Sequence, residues 1–314
     1  MQLEKRKEKP ATDLVDGRSG LRKSDPSIRD HGKAEKEEVM QIGSREFETG
    51  QHTYIWGILN VTPDSFSDGG RYRQLDTALY QAETMIREGA DLIDVGGEST
   101  RPGYQQISAE EEIERVLPVL EGLKSRFDIP VSLDTSKSRV ALAGIGAGVD
   151  LINDVSGLRA DVKMAEVIAE SGLPCCLMHQ GGLGPVSAGA ERMAGILSDL
   201  EQILESACQS GIRKDRIILD PGIGFGKTLE ENLEILHHLE AFHRLGQPLL
   251  LGTSRKSVIG KTLDLPVEER LEGTLATTVL AVLHRWPFVR VHDVKENKRS
   301  IQMTEAVRDC GLRE

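Results

Sequence analysis

The chain has 314 residues, of which 39% are hydrophobic and 28% are charged, so its composition is that of an ordinary folded protein with one large core. Its formal net charge of -11 disfavours nonspecific nucleic-acid binding, which depends on Lys and Arg neutralising phosphates. The sequence contains neither the roughly 18 uninterrupted apolar residues of a membrane span nor, in MQLEKRKEKP, the apolar core of a signal peptide. We therefore expect a cytoplasmic protein that binds no nucleic acid and no membrane.

The first 38 residues differ in composition from the rest of the chain. They contain no Phe, Trp or Tyr and carry ten Lys or Arg against nine Asp or Glu. Such a segment cannot bury enough apolar surface to offset the entropy lost on ordering. Residues 1–38 are therefore predicted to be a flexible charged tail, with a weak amphipathic helix near Gly32 to Met40 or a docking arm for a partner as alternatives.

The folded domain is predicted to span residues 39–314. From Val39, VMQIGSREFETG alternates apolar and polar residues around Gly43, which is typical of a β-hairpin leading into a buried strand. Eight short apolar runs follow, with amphipathic helical segments between many of them: YIWGILN, DLIDVGG, IPVSLDT, VDLINDV, LPCCLMH, RIILDPG, PLLLGTS and PFVRVHD.

This succession of apolar runs and helical segments predicts an α/β protein with a parallel sheet. Nearly continuous apolar strands are buried on both faces, and eight strand–helix units are the number that closes a barrel. The predicted fold is a (β/α)8 TIM barrel with an N-terminal hairpin. A doubly wound sheet is the alternative, but its dinucleotide-binding forms carry G-x-G-x-x-G after the first strand, where this chain has NVTPDSFSDGG.

Polar residues stand at the end of each predicted strand, where barrel enzymes carry their active sites. One buried carboxylate is readily explained by pairing with the backbone N–H groups of a loop, but several at one mouth indicate a polar ligand pocket. A pterin fits such a pocket, because its amino group and ring N–H are parallel donors that a carboxylate such as Asp220 can accept. The strand-end residues are Asn60, Asp94, Asp134, Asn153, Asp154, Met178, His179, Asp220, Thr253 to Lys256, Arg290 and His292.

The run DPGIGFGKT, Asp220 to Thr228, invites interpretation as a phosphate-binding loop. The Walker spacing requires a glycine five residues before Gly226, and this chain has Pro221 there. Its glycines are better explained by a tight turn beside a planar ligand, with Phe225 available to stack on it.

Two further segments are candidate anion sites. In GTSRKSVIG, Ser254 or Ser257 could cap the next helix while Arg255 and Lys256 add positive charge; a capped helix with solvated basic side chains is the alternative. In RVHDVKE, the strand period of two places Arg290 and His292 on one face. A lone structural histidine remains the alternative for His292.

Two loops rich in Pro, Gly, Ser and Asp, TPDSFSDGG and ESTRPG, are predicted to close over a substrate, with ordinary capping loops as the alternative.

The segments GILNVTPDSFSDGG (57–70) and EGADLIDVGGESTRPG (88–103) resemble the two signature segments of the dihydropteroate synthases. VSLDTSK, INDVSG, LMH, DPGIGFGKT, GTSRKS and RVHDV follow in the order of that family, so the resemblance extends from Thr53 to the C-terminus. It implies a transferase that condenses 6-hydroxymethyl-7,8-dihydropterin pyrophosphate with p-aminobenzoate.

The resemblance also implies the roles of individual residues. The catalytic group would be Asp134, Lys256, Arg290 and His292. The pterin would contact Asp134, Asn153, Met178, Asp220, Phe225 and Lys256. Pyrophosphate would contact Asn60, Arg290 and His292, with Mg²⁺ on Asn60. p-Aminobenzoate would contact Thr100, Arg101, Pro102 and Ser257. The first loop would close through Thr62, Asp64, Ser65, Phe66 and Asp68.

The family further implies a homodimer packed through the last helices and a sulfonamide target. The sequence departs from the family pattern in its tail and after His179, where GGLGPVSAGAERM is shorter than the expected loop. Two alternatives stay open. A corrinoid-linked methyltetrahydrofolate methyltransferase would not need the two loops, and a noncatalytic pterin-binding paralogue would be indicated by loss of Lys256, Arg101 or Asn60, all of which are present.

Overall fold

The computed structural model describes residues 39–62, 71–98, 106–181 and 190–310. The tail predicted for residues 1–38, most of the two predicted closing loops and most of the short segment after His179 lie outside these ranges, so those predictions stay untested. Among the helices within the described ranges, none combines the length and the apolar composition that crossing a membrane requires.

The described chain alternates strands and helices in the predicted order. The strands are β1 Val39–Ile42, β2 Arg45–Glu48, β3 Tyr54–Asn60, β4 Leu92–Gly96, β5 Val131–Asp134, β6 Leu151–Asp154, β7 Cys175–Met178, β8 Ile217–Asp220, β9 Leu250–Leu251 and β10 Phe288–Val291. The α-helices are α1 Arg71–Glu88, α2 Ala109–Arg126, α3 Ser138–Gly146, α4 Met164–Ser171, α5 Ala190–Gln209, α6 Leu229–His237, α7 Ser257–Leu263, α8 Leu271–Leu283 and α9 Val294–Arg308.

Local signals explain where two of these helices begin. The Ser108 side chain accepts the Glu111 N–H and so caps α2. At the start of α6, Thr228 and Glu231 form a capping box in which each side chain accepts a backbone N–H of the other residue. Both helices therefore start at a fixed residue immediately after a loop at the mouth of the barrel.

Eight parallel strands form one sheet in the order β8-β7-β6-β5-β4-β3-β10-β9. A parallel bridge between Leu219 and Leu249 joins the two ends of this order, so the sheet closes on itself. The predicted (β/α)8 barrel is confirmed. Each strand runs in the same direction, so all eight carboxyl ends lie at one mouth of the barrel.

The inward-facing side chains change character along the barrel axis. At the amino end they form an apolar cluster that includes Trp56, Leu92, Leu151, Ile218 and Phe288. Toward the carboxyl ends of the strands, the residues on the same inward faces are polar: Asn60, Asp94, Asp134, Asn153, Asp220 and Arg290. The outward-facing residues are apolar and pack against the helices in a second cluster.

The N-terminal hairpin of β1 and β2 packs on the amino end of the barrel and confirms the predicted hairpin. Its Phe47 ring lies 4.9 Å from the Tyr54 ring and 5.7 Å from the Phe288 ring, both in edge-on geometry. Met40 and Ile42 of β1 join the same buried cluster. Because the hairpin covers this end, a ligand reaches the polar interior from the carboxyl-end mouth.

Candidate active site

The centre of the mouth is organised by Arg290, which projects inward from β10. Its Nε donates to Asp94 Oδ2 and its Nη2 to Asp134 Oδ2, both at 2.6 Å. The Asn153 amide nitrogen also donates to Asp94 Oδ2, at 3.2 Å. Strands β4, β5, β6 and β10 thus contribute to one polar network that spans β3. Asp94 Oδ1, although buried, has no hydrogen-bond partner among the described residues.

Burial and the neighbouring charges shift the pKa values of Asp134 and Arg290 in this network. Burial raises the pKa of Asp134 to about 7; the Arg290 guanidinium opposes that rise, and the Asp94 carboxylate adds to it. Burial alone would lower the pKa of Arg290, but the carboxylates of Asp94 and Asp134 more than offset it and raise that pKa. The guanidinium therefore stays charged, while Asp134 can carry a proton near neutral pH.

Two oppositely charged groups, Asp220 and Lys256, influence each other on the other side of the mouth. Burial raises the pKa of Asp220, against the nearby Lys256 ammonium. Asp220 Oδ1 accepts the Gly222 N–H at 2.7 Å, and Lys256 Nζ donates to the Ile223 carbonyl at 2.6 Å. Burial lowers the pKa of Lys256 to about 8, with Asp220 opposing that fall and Arg290 adding to it.

Lys256 also brings the aromatic residue predicted for this site into the mouth. Its Nζ lies 4.6 Å from the centre of the Phe225 ring, within the range of a cation–π contact. The two sides meet at Gly252: a Cβ built there would be in van der Waals contact with both, 3.6 Å from Lys256 Nζ, 3.8 Å from Asp220 Oδ2 and 4.0 Å from Arg290 Cβ. The predicted residues Asp134, Asn153, Asp220, Phe225, Lys256 and Arg290 are therefore brought together at one mouth.

A cavity of about 330 Å³ opens at this mouth, and its lining includes Asp134, Arg159, Gln180 and Phe225. A second cavity, of about 350 Å³, lies beside Lys124 and Asp150 near the amino ends of the strands. Its size does not make it the functional site, because none of the polar strand-end residues predicted to carry chemistry lines it.

Asn60 and Met178 complete the strand-end positions. A Cβ on Gly96 would lie 3.6 Å from Asn60 Oδ1 and 3.8 Å from Asp134 Oδ2, so the two side chains flank Gly96. Met178 ends β7 and is buried. Thr62, the last described residue of the first loop, is partly buried, whereas Asp64, Ser65, Phe66, Asp68, Thr100, Arg101 and Pro102 lie outside the described residues.

The prediction that Ser254 or Ser257 caps the helix after β9 is wrong. The N-cap position of α7 is Lys256, whose side chain makes no capping hydrogen bond. Ser254 Oγ instead lies 2.9 Å from His292 Nδ1 and accepts the His292 N–H at 3.1 Å. Ser257 is the exposed first residue of α7, while Arg255 pairs with Asp293.

The Asp154 side chain, although at a strand end, binds the loop that follows it and does not line the cavity at the mouth. Its Oδ1 accepts the Ser156 N–H and hydroxyl at 2.8 and 2.7 Å, and its Oδ2 accepts the Leu158 N–H at 2.8 Å. It thus holds the loop after β6, the structural role that the sequence left open for any single strand-end carboxylate.

A charged group at the rim was missed from the sequence. Lys137 Nζ donates to Glu98 Oε2 at 2.8 Å and to Glu112 Oε2 at 2.5 Å, and Glu98 Oε1 accepts the Ile107 N–H. This network ties together the two ends of the second predicted loop. The signal was Glu112, a carboxylate on the otherwise apolar buried face of α2.

From the sequence, Lys227 is recognisable only as part of a run that resembles a phosphate-binding motif. Burial lowers its pKa to about 7, with Asp220 opposing that fall and Lys256 adding to it. Burial and the Lys227 charge together lower the pKa of His179 to about 4, although its Nε2 lies 3.1 Å from Asp199 Oδ2. His179 is therefore neutral at physiological pH.

Comparison with known proteins identifies the family to which this chain belongs. The model of the family described as "Pterin binding enzyme" matches residues 56–292. A dihydropteroate synthase of Clostridium beijerinckii is 54% identical over 269 residues, which cover 85% of this chain and 99% of that protein.

Two solved structures are similar over nearly their whole length. A dihydropteroate synthase of Clostridium difficile, solved in the presence of pteroic acid, has a TM-score of 0.79 and 49% identity, covering 83% of this chain and 98% of that one. The Yersinia pestis dihydropteroate synthase in complex with a sulfonamide drug has a TM-score of 0.79 and 42% identity, covering 86% and 99%.

Proposed function

This chain belongs to the dihydropteroate synthase family, and we propose how its barrel mouth carries out the reaction of that family. The enzyme is a transferase. The amino nitrogen of p-aminobenzoate bonds to the methylene carbon of 6-hydroxymethyl-7,8-dihydropterin pyrophosphate, the C–O bond to pyrophosphate breaks, and the nitrogen loses a proton. The observation that carries the proposal is the convergence of two groups at one mouth: Asn153 and Asp134, which are linked through Asp94 and Arg290, and Lys256, which lies over the Phe225 ring near Asp220.

The pterin is held by the side of the mouth built from β6 to β9. The Asp220 carboxylate accepts the pterin amino and ring N–H groups side by side, which suits a buried carboxylate that needs donors. Lys256 donates to the pterin carbonyl and ring nitrogen, and Asn153 supplies further hydrogen bonds. Phe225 and Met178 pack against the planar ring. The existing Lys256–Phe225 contact supports this arrangement, because it positions both groups before the ligand enters.

Charge that develops during the reaction is stabilised on the opposite side of the mouth. As the C–O bond breaks, positive charge spreads into the pterin ring, and the Asp134 carboxylate stabilises it. Two N–H groups of Arg290 already serve Asp94 and Asp134, and the guanidinium has five, so the remaining donors are available to pyrophosphate. His292, held by Ser254, donates to the same leaving group. This is electrostatic preorganisation.

Mg²⁺ is the proposed cofactor, and the donor set fits a weakly held ion. Within the described ranges, no group of three His, Cys, Asp or Glu side chains is arranged to hold a metal. Mg²⁺ commonly keeps several waters and binds through one or two protein oxygens plus substrate phosphates. Asn60 Oδ1 would supply the protein oxygen beside Asp134. When bound with pyrophosphate, the ion neutralises charge on the leaving group.

The arylamine enters last, on the outer side of the bound pterin. Thr100, Arg101 and Pro102 of the second loop and Ser257 at the start of α7 are the proposed contacts of p-aminobenzoate. The first loop, with Thr62, Asp64, Ser65, Phe66 and Asp68, closes over both substrates and excludes water. Because the Yersinia pestis relative was solved with a sulfonamide drug, we expect sulfonamides to compete with p-aminobenzoate here.

The proposed assembly is a homodimer through α8 and α9. Leu280 and Leu283 on α8 and Met303 and Val307 on α9 expose large apolar side chains, and these two helices pack against each other. A contiguous exposed apolar face is typical of an interaction surface. The proposed location is the cytoplasm, in keeping with the free thiols of Cys175 and Cys176.

The reaction is tested directly by measuring pyrophosphate release from dihydropterin pyrophosphate and Mg²⁺, with and without p-aminobenzoate, together with dihydropteroate formation. We expect release that depends on p-aminobenzoate and matches product formation one to one. Tight pterin binding without product would identify a noncatalytic pterin-binding protein instead.

A further inference from the structure

Lys227 lies in the loop between β8 and α6, and the proposed mechanism gives it no role. Its Nζ donates to three backbone carbonyls: His179 at 3.1 Å, Gly222 at 2.9 Å and Phe225 at 3.3 Å. A lysine ammonium has three N–H donors, so each donor has one carbonyl acceptor. Lys227 therefore has no donor left for a substrate phosphate, unlike the lysine of a phosphate-binding loop.

The three carbonyls belong to two segments that meet under the mouth. One is the end of β7, residues 178–181, and the other is the loop after β8, residues 220–226. The His179 N–H donates to the Asp220 carbonyl at 2.9 Å, and the Gly181 N–H donates to the Phe225 carbonyl at 3.0 Å. The segments are therefore joined by backbone hydrogen bonds on either side of the Lys227 ammonium.

The two segments pack so closely that only glycines fit between them. A Cβ on Gly222 would lie 1.9 Å from the His179 carbonyl oxygen, and one on Gly181 would lie 2.6 Å from the Gly226 carbonyl oxygen. Several carbonyl oxygens are thus brought close together with little room for water. In its ammonium form, which predominates below its pKa of about 7, Lys227 offers one N–H to each of three carbonyls and offsets their mutual repulsion.

We propose that Lys227 is a positioning residue for pterin binding, whose three hydrogen bonds fix the loop after β8 on the end of β7. This inference rests on the proposed function, because the effect of Lys227 is measured as the affinity for pterin. Asp220 begins the fixed loop and Phe225 lies within it, with the Phe225 carbonyl bonded to Lys227 and its ring facing the mouth. Lys227 acts through these residues and does not touch the substrate.

The test compares the affinity of wild type and variants for 6-hydroxymethylpterin, measured by calorimetric titration of the full chain. Lys227→Met keeps the aliphatic stem and removes all three donors, so we expect affinity to fall about tenfold to a hundredfold. Lys227→Arg keeps charged donors and should recover part of that loss. Lys214→Met, at an exposed lysine remote from the mouth, should bind as wild type does. Thermal unfolding reports whether each variant is folded.

A double-mutant cycle with Phe225→Ala separates positioning from general destabilisation. If Lys227 acts through Phe225, Lys227→Met should weaken binding by less than about threefold in the Phe225→Ala background. An equal loss in the wild-type, Phe225→Ala and Asp220→Asn backgrounds overturns the proposal, because Lys227 would then act through neither residue, as does wild-type affinity in Lys227→Met. If Lys227→Met does not fold, Lys227→Leu, which also lacks side-chain donors, replaces it with the same criteria.

The steady-state constants give a second, independent reading. A loop that is misplaced before the substrate binds should raise the KM for dihydropterin pyrophosphate more than the KM for p-aminobenzoate. Equal changes in both KM values contradict the positioning role. Failure of the wild type to bind 6-hydroxymethylpterin at all would instead refute the proposed function, and the Lys227 inference with it.

Discussion

Arg290 shows how a single side chain can organise an active site. Its guanidinium joins two carboxylates from β4 and β5, so the three groups carry a net negative charge when all are ionised. Removing one partner from such a buried network typically costs about 3–5 kcal/mol, because a charge is left without its counterion. We therefore regard Arg290 as both a structural and a functional residue.

Asp134 should make folding stability depend on pH. Its folded pKa of about 7 lies above the ordinary value of 3.8, because burial disfavours the carboxylate. The folded state thus holds this proton more tightly than the unfolded chain. Its contribution to stability is fully present below the unfolded pKa and is lost as pH rises through about 7.

We predict that Asp134→Asn will reduce the fall in unfolding free energy between about pH 4 and pH 7, because Asn cannot titrate but still accepts a hydrogen bond from Arg290. Urea unfolding across this range measures the effect. Asp215→Asn is the control, since Asp215 is exposed and its pKa is lowered through the Arg213 side chain. An undiminished fall in Asp134→Asn would contradict the assignment of this titration to Asp134.

At the scale of elements, the loop after β8 can pack closely against the end of β7 because it has a glycine at the point of contact. Gly222 has a φ of +70°, and a Cβ there would meet the His179 carbonyl oxygen. Gly172, which ends α4, has a φ of +66° but nothing within 4 Å of such a Cβ. The two glycines therefore share the backbone conformation and differ in the space around them.

We predict that Gly172→Ala will cost about 1 kcal/mol, the usual strain of a left-handed alanine. Gly222→Ala should cost about 3 kcal/mol or more and weaken pterin binding, because the two segments must separate. Urea unfolding and calorimetric pterin titration measure both effects. Equal stability losses in the two variants would show that the close approach at Gly222 carries no additional energy.

Strand ends were predictable from the sequence, whereas the partners of their side chains were not. The period of two places Asp94, Asp134 and Arg290 on the inner face without knowledge of the structure. The ion pairs of Arg290, however, join residues 196 and 156 positions apart in the chain. No local pattern reports such pairing, which follows from closure of the barrel.

The same limit explains the errors at the loops. Ser254 has the residue type and location of a helix cap, but His292, immediately after the neighbouring strand β10, binds its hydroxyl instead. Lys227 belongs to a Gly-rich run that suggests phosphate, but the end of β7 supplies one of its three acceptors. In both cases a contact between distant segments overrides the local signal.

At the scale of the whole molecule, the apolar side chains that stabilise the barrel interior lie at its amino end, and the polar side chains of the candidate site lie at its carboxyl end. The hairpin and the inner aromatic cluster fill the amino end, where burial of each large apolar side chain contributes about 1.5–3 kcal/mol. The carboxyl end holds the buried charges, which stabilise the fold far less. Substitutions in the two regions should therefore affect stability and ligand binding differently.

The exposed apolar face of α8 and α9 predicts the assembly. We expect wild type to sediment as a dimer and Leu283→Asp to shift toward the monomer, because symmetry places the new charge in the interface twice. Val162→Asp is the matched control, since Val162 is 94% exposed and lies on the loop before α4. Sedimentation velocity distinguishes the two states. A dimeric Leu283→Asp at the same concentration would contradict this interface.

The most direct test of the account is calorimetric titration of 6-hydroxymethylpterin and of pyrophosphate with Mg²⁺ into wild type and Asp220→Asn. The amide replaces a buried carboxylate by a group that can accept at only one oxygen, so pterin affinity should fall about a hundredfold or more. Binding of pyrophosphate, which is assigned to Arg290, His292 and Asn60, should change little. Undiminished pterin affinity in Asp220→Asn would show that the pterin does not bind where this account places it.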